Sequence, residues 1–124
     1  MTAPTAALQL ARAYWEAWTG HDVDKALTYI APDVVCDTPG GRIEGVDAFR
    51  GFLAPFVETL QRAELLAAYG DDTTALIMYD TVTPLVAHAP AAELVTIENG
   101  LITKSRFIFD RLPFETARAA LGEG

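Results

Sequence analysis

Glu98-Asn99-Gly100-Leu101-Ile102-Thr103 is the stretch from which the fold is read. An Asn-Gly pair between apolar segments is the strongest short-range hairpin signal, because both central residues of a tight two-residue turn need positive φ. It predicts one strand over Val86 to Glu98 and its antiparallel partner over Leu101 to Asp110. Outward from there, Thr83-Pro84-Leu85 separates a third extended segment, Thr73 to Val82, and Gly70-Asp71-Asp72 forms a turn before it. That turn calls for a preceding strand, yet Gln61-Arg62-Ala63-Glu64-Leu65-Leu66-Ala67-Ala68 has helical propensity. On the residues alone, Glu58 to Tyr69 stands between helix and strand.

The N-terminal half has a different period. Ala7, Leu10, Ala11, Tyr14, Trp15 and Trp18 recur at three- and four-residue spacing and share one helical face. Gly20 closes that helix; Asp22 caps a short second one that turns Ala26, Leu27 and Ile30 inward and stops at Pro32. Asp33 to Thr38 reads as a strand, Pro39-Gly40-Gly41 as a turn, and Arg42 to Glu44 as a brief extended piece. A third helix begins at Gly45, with Phe49, Phe52, Leu53, Phe56, Val57 and Leu60 on its face. Pro55 bends it rather than breaking it, because the residue four back is Gly51. The Ala-rich tail from Pro113 forms a short helix. The segment Ala75-Leu76-Ile77-Met78-Tyr79 is apolar on both faces, so both faces are covered. Helices cover one, and a second subunit is expected over the other, burying Ile77, Tyr79 and Ile108.

With 124 residues, 51% of them hydrophobic, the chain suits one domain over 1–124 with its own core. A net charge of −8 without any basic stripe sets nucleic acid and anionic membrane surfaces aside as partners. Cys36 is the only cysteine, which excludes an internal disulfide; it reads as a small hydrophobe on a buried strand. The start, Met1-Thr2-Ala3-Pro4-Thr5, has no basic region ahead of an apolar stretch, and no run of apolar residues approaches bilayer length. A cytoplasmic protein is the expectation. Two histidines in no ligand spacing argue against a metal site, and no cofactor is expected.

The order helix, short helix, strand and turn, third helix, antiparallel meander resembles the SnoaL-like branch of the nuclear transport factor two superfamily, which also holds ketosteroid isomerases and limonene epoxide hydrolases. The resemblance runs through Tyr14-Trp15-Glu16-Ala17-Trp18, Gly20-His21-Asp22-Val23-Asp24, Ala31-Pro32-Asp33-Val34-Val35, Gly41-Arg42-Ile43-Glu44-Gly45, Glu98 to Thr103 and Phe107-Ile108-Phe109-Asp110. It implies an α+β cone: a curved antiparallel sheet with three helices from the N-terminal half enclosing a hydrophobic pocket. It also implies a strand beginning near Arg62, and homodimers paired through the convex sheet face.

Laid over the isomerases, this chain has their oxyanion-hole tyrosine at Tyr14 and their protonated acid at Glu93, while their general base falls on Thr38, with Asp37 expected on the other side of the strand. The epoxide hydrolase acid on the last strand falls on Phe107, which moves no proton. Strand alternation, oriented by the same resemblance, turns Leu76, Met78 and Asp80 toward the cavity beside Glu93, Val95 and Ile97. Tyr14, Asp80 and Glu93 are thus the expected acid/base set. The expected wall is Trp15, Trp18, Cys36, Thr38, Leu53, Phe56, Met78, Val95, Phe107 and Phe109. His88 lies across the hairpin from Asp80 and joins the site only through a bulge at Pro90. The bland readings stand beside these: Tyr14 as a core tyrosine, Asp80 as a solvated acid near its turn, His21 as a loop residue.

Three functions fit. One is a cofactor-independent isomerase, polyketide cyclase-like or dehydratase enzyme acting on an apolar carbonyl metabolite. The second is a binding protein that holds a hydrophobic small molecule unchanged, which the loss of the base at Thr38 favours. The third is a dimeric interaction module whose cavity is filled by Trp15, Trp18, Phe52 and Phe56.

Overall fold

Asn99 and Gly100 both adopt positive φ, 53° and 78°, and join Ala91–Glu98 to Leu101–Phe109 as the hairpin signal requires. The computed structural model describes residues 6–122; the segment read for a secretory signal, up to Thr5, lies outside them. In chain order the elements are α1 (Ala6–Thr19), α2 (Val23–Leu27), β1 (Ile30–Thr38), β2 (Gly41–Glu44), α3 (Val46–Thr59), β3 (Arg62–Gly70), β4 (Thr74–Val82), β5 (Ala91–Glu98), β6 (Leu101–Phe109) and α4 (Leu112–Gly122). The six strands form one open sheet in the order β2-β1-β6-β5-β4-β3. Neighbours are antiparallel except β1 and β6, which run parallel. Irregularities between Ile30 and Val35, Leu65 and Ala67, and Thr96 and Ile97 supply the extra residues that bend a strand. They curl the sheet around α1 and α3.

The ambiguous stretch is a strand from Arg62, since pairing with β4 outweighs its helical propensity. The strand predicted from Val86 begins only at Ala91. Pro84 and Pro90 bracket the loop over 83–90, and neither can donate to a ladder. α3 runs through Pro55 unbroken, and Asp22 caps α2 by accepting from the Lys25 amide.

Between helices and sheet lie Trp18, Tyr14, Phe49, Ile77 and Ile102, all within 1% of full burial. The core side of β4 carries Ala75, Ile77, Tyr79 and Thr81, and its outer side carries Leu76, Met78 and Asp80. Of the three residues assigned to a subunit contact, only Ile108 therefore lies outside, 63% exposed. Ile77 and Tyr79 are core. No helix among the described residues is long and apolar enough to cross a membrane.

Candidate functional site

One end of the cone stays open as a cavity of about 470 Å³, the size of sites that hold small molecules. α1 gives it Trp18; α3 gives Phe52, Leu53 and Phe56; β4 gives Tyr79 and Thr81; β6 gives Phe107 and Phe109. Phe114 of α4 closes over them, its ring centroid 6.4 Å from that of Phe56 and 6.2 Å from that of Phe109. Opposite, β1 and its turn into β2 contribute Thr38, Gly40, Gly41, Arg42 and Ile43, while Arg111, Glu115 and Arg118 stand along α4 and its approach. Two hydroxyls of the lining are satisfied within the chain, that of Thr38 donating to the Gly41 carbonyl at 2.8 Å and that of Thr81 to the Ala89 carbonyl at 3.1 Å, whereas the buried Trp18 Nε1 has no partner among the described residues. Tyr79 donates to no acceptor among the described residues.

Behind this wall sits a sealed polar cluster. The Tyr14 hydroxyl lies 3.1 Å from both carboxyl oxygens of Glu93, and the Ser105 hydroxyl donates to Glu93 Oε2 at 2.6 Å. α1 presents Tyr14 on its inward face, and β5 and β6 present Glu93 and Ser105 on theirs. Glu93 is 0% exposed. Burial raises its pKa from 4.5 to about 8, against the opposing pull of the Ser105 and Tyr14 hydrogen bonds. Burial first, and then the neighbouring Glu93, likewise push the Tyr14 phenol well above its ordinary range and the Cys36 thiol up to about 12. Cys36 pairs in register with Ser105 on the adjacent strand.

The structure thus brings Tyr14 and Glu93 together, as the sequence predicts, but away from the cavity surface. Phe107, in register with Glu93, lines the cavity in its stead. Trp18, Thr38, Leu53, Phe56, Phe107 and Phe109 line it as expected. Trp15, Cys36 and Val95 are core residues outside the lining.

Asp80, Met78 and His88 are corrections. Ile77, not Met78, faces Glu93 across the β4–β5 ladder, and a one-residue slip exchanges the two faces of a strand. Asp80 therefore points outward and binds His88 Nδ1 at 2.7 Å. That hydrogen bond is the first reason its pKa is lowered rather than raised. His88 has a side chain 75% exposed, and Met78 is 43% exposed.

Asp37 also stays outside, paired with Arg42 at 2.9 Å and Arg106 at 3.4 Å. Among the described residues the one acid in the wall is Glu115 of α4, not a residue of β1. His21 is the loop residue of the bland reading, its Nε2 2.8 Å from the Leu60 carbonyl oxygen. No group of three potential ligands gathers to hold a metal among the described residues.

Sequence reasoning missed Ser105, Tyr79, Thr81 and the arginines. Ser105 was within reach, since alternation from Phe107 turns it inward. Nothing in the Ala-rich tail signalled that α4 would roof the cavity.

A profile of the SnoaL-like domain matches residues 11–105. The chain belongs to the SnoaL-like family. A solved structure from Kribbella flavida DSM 17836 is 56% identical, with a TM-score of 0.94 over 97% of this chain and 99% of that one. At 22% identity, a candidate polyketide cyclase from Sinorhizobium meliloti superposes with a TM-score of 0.71 over 81% of this SnoaL-like chain and 94% of its own. An LEH-like epoxide hydrolase from M. tuberculosis, 18% identical, gives 0.73 over 92% and 90%. The last two share the curved, open-sheet fold with this SnoaL-like protein. No curated protein matches the chain.

Proposed function

We propose that this SnoaL-like protein receives an apolar small molecule in its aromatic cavity and holds it without chemical change. The carrying observation is that, among the described residues, Glu115 is the only carboxylate in the cavity lining, and it is tied to Arg111 at 3.0 Å. A group that moves a proton must reach the reacting atom. Asp80 lies on the outer side of β4, its side chain 19% exposed and held by His88, Thr38 stands where the isomerases keep their base, and Glu93 lies behind Phe107. What remains is an apolar wall with a few orienting groups, which is what a binding site needs. The open volume counts against the interaction module with a filled cavity.

The buried Tyr14–Glu93–Ser105 cluster favours a second reading, an acid/base isomerase, cyclase or dehydratase acting on an apolar carbonyl compound. There Glu93 exchanges the proton and Tyr14 polarises the carbonyl, once Phe107 has moved aside. Native mass spectrometry of the gently purified protein, followed by extraction, separates the two. Binding predicts one small molecule per chain, recovered unaltered after prolonged incubation and equally retained by Glu93→Gln. Conversion of that molecule over time, abolished by Glu93→Gln, would establish the enzyme instead.

For a protein partner we propose a second copy on the outer sheet face. Two contiguous rows cross it, Ala67-Met78-Ala92-Ile108 and Tyr69-Leu76-Leu94. Glu64 and Asp80 stand at one corner, Lys104 and Arg106 at the opposite one. A two-fold axis lying between facing sheets, perpendicular to the line that joins these two corners, would set each acidic corner over a basic one.

A further inference from the structure

The charges around the cavity run against those of the whole molecule. The chain has 9 Lys and Arg against 17 Asp and Glu, yet among the described residues the lining holds three arginines, Arg42, Arg111 and Arg118, and one acid, Glu115. All three arginines are exposed, so they stand where the aromatic interior opens to water. Asp37 holds Arg42 and Glu115 holds Arg111; Arg118 has no carboxylate within 4.0 Å among the described residues. A cleft with an excess of one sign and low-dielectric walls concentrates oppositely charged solutes, and the planar guanidinium pairs with carboxylate, sulfonate or phosphate oxygens in a fixed fork.

Resting on the reading that the cavity holds an apolar small molecule, we propose that this molecule bears an acidic group, seated between Arg42, Arg111 and Arg118 while its apolar body lies on Phe52, Phe56 and Phe107. An amphipathic acid is thus the ligand class. A neutral hydrocarbon or sterol-like body would leave Arg118 without an anionic partner among the described residues.

Two fluorescent probes with the same ring system test this: 1-anilinonaphthalene-8-sulfonate, which is anionic, and N-phenyl-1-naphthylamine, which is neutral. Both are titrated into the full chain at low and at physiological salt. The sulfonate should bind about tenfold more tightly at low salt, and the difference should shrink as salt rises. Arg118→Gln, and more strongly Arg111→Gln combined with it, should weaken the sulfonate about fivefold or more and leave the amine within about twofold. Both positions are exposed; because Arg111 also donates to the Pro39 carbonyl at 3.3 Å, unchanged amine binding by the double variant is the control that α4 keeps its place. Lys104→Gln, a cation on the outer face, should change neither probe. Equal affinities insensitive to the arginines overturn the acidic group and leave the cavity reading standing; failure of both probes to bind overturns the two together.

Discussion

Glu93 is the residue at which burial and charge are most at odds. Its pKa stands raised, at about 8, in the folded chain and near 4.5 unfolded. The native state therefore holds a proton that the unfolded state releases between those values. Its contribution to stability is complete below about 4.5 and is lost as pH rises toward 8. We expect the melting temperature to fall across that window and Glu93→Gln to flatten the fall; an unchanged pH profile in the variant would refute the protonated carboxyl. Tyr14→Phe should cost about 1–2 kcal/mol at pH 6 and more at pH 9, because the lost hydrogen bond supports the ionised form most. Denaturant melts at the two pH values read that difference. This pairing was legible through the resemblance to the isomerases, which sets their tyrosine on Tyr14 of α1 and their acid on Glu93, counted back from the Asn99-Gly100 turn. Its separation from the cavity was not, because no pattern reports which of two inward neighbours, Glu93 or Phe107, reaches the open space.

At the scale of elements, β4 shows where the sequence falls silent. Both of its faces are apolar, so alternation gives no sign of which points inward. Its register against β5 cannot be counted across the loop over 83–90, whose length the residues do not reveal. Asp80 and Met78 were misplaced for that reason, and His88 went with Asp80. The hairpin between β3 and β4 is fixed more tightly. A Cβ added at Gly70 would lie 2.8 Å from the Thr74 carbonyl oxygen and 2.9 Å from the Ala75 Cβ. Both are held by the ladder, so Gly70→Ala should destabilise by about 1–3 kcal/mol, read by urea denaturation. A neutral result would mean that this end of β3 yields freely.

At the scale of the molecule, cavity and outer face lie on opposite sides of the sheet, which makes binding and assembly separable. Ile108 projects outward from β6 while its neighbours Phe107 and Phe109 line the cavity. A charge placed at Ile108 should disturb only the outer row it shares with Met78. Sedimentation velocity should find a dimer at micromolar concentration, and Ile108→Glu should shift it to monomer with both probe affinities retained. A wild-type chain that sediments as a monomer would remove the second copy from the proposal and leave the cavity untouched. Loss of probe binding in monomeric Ile108→Glu would show that the two faces are coupled through the strand, because the substituted side chain itself reaches only the outer face.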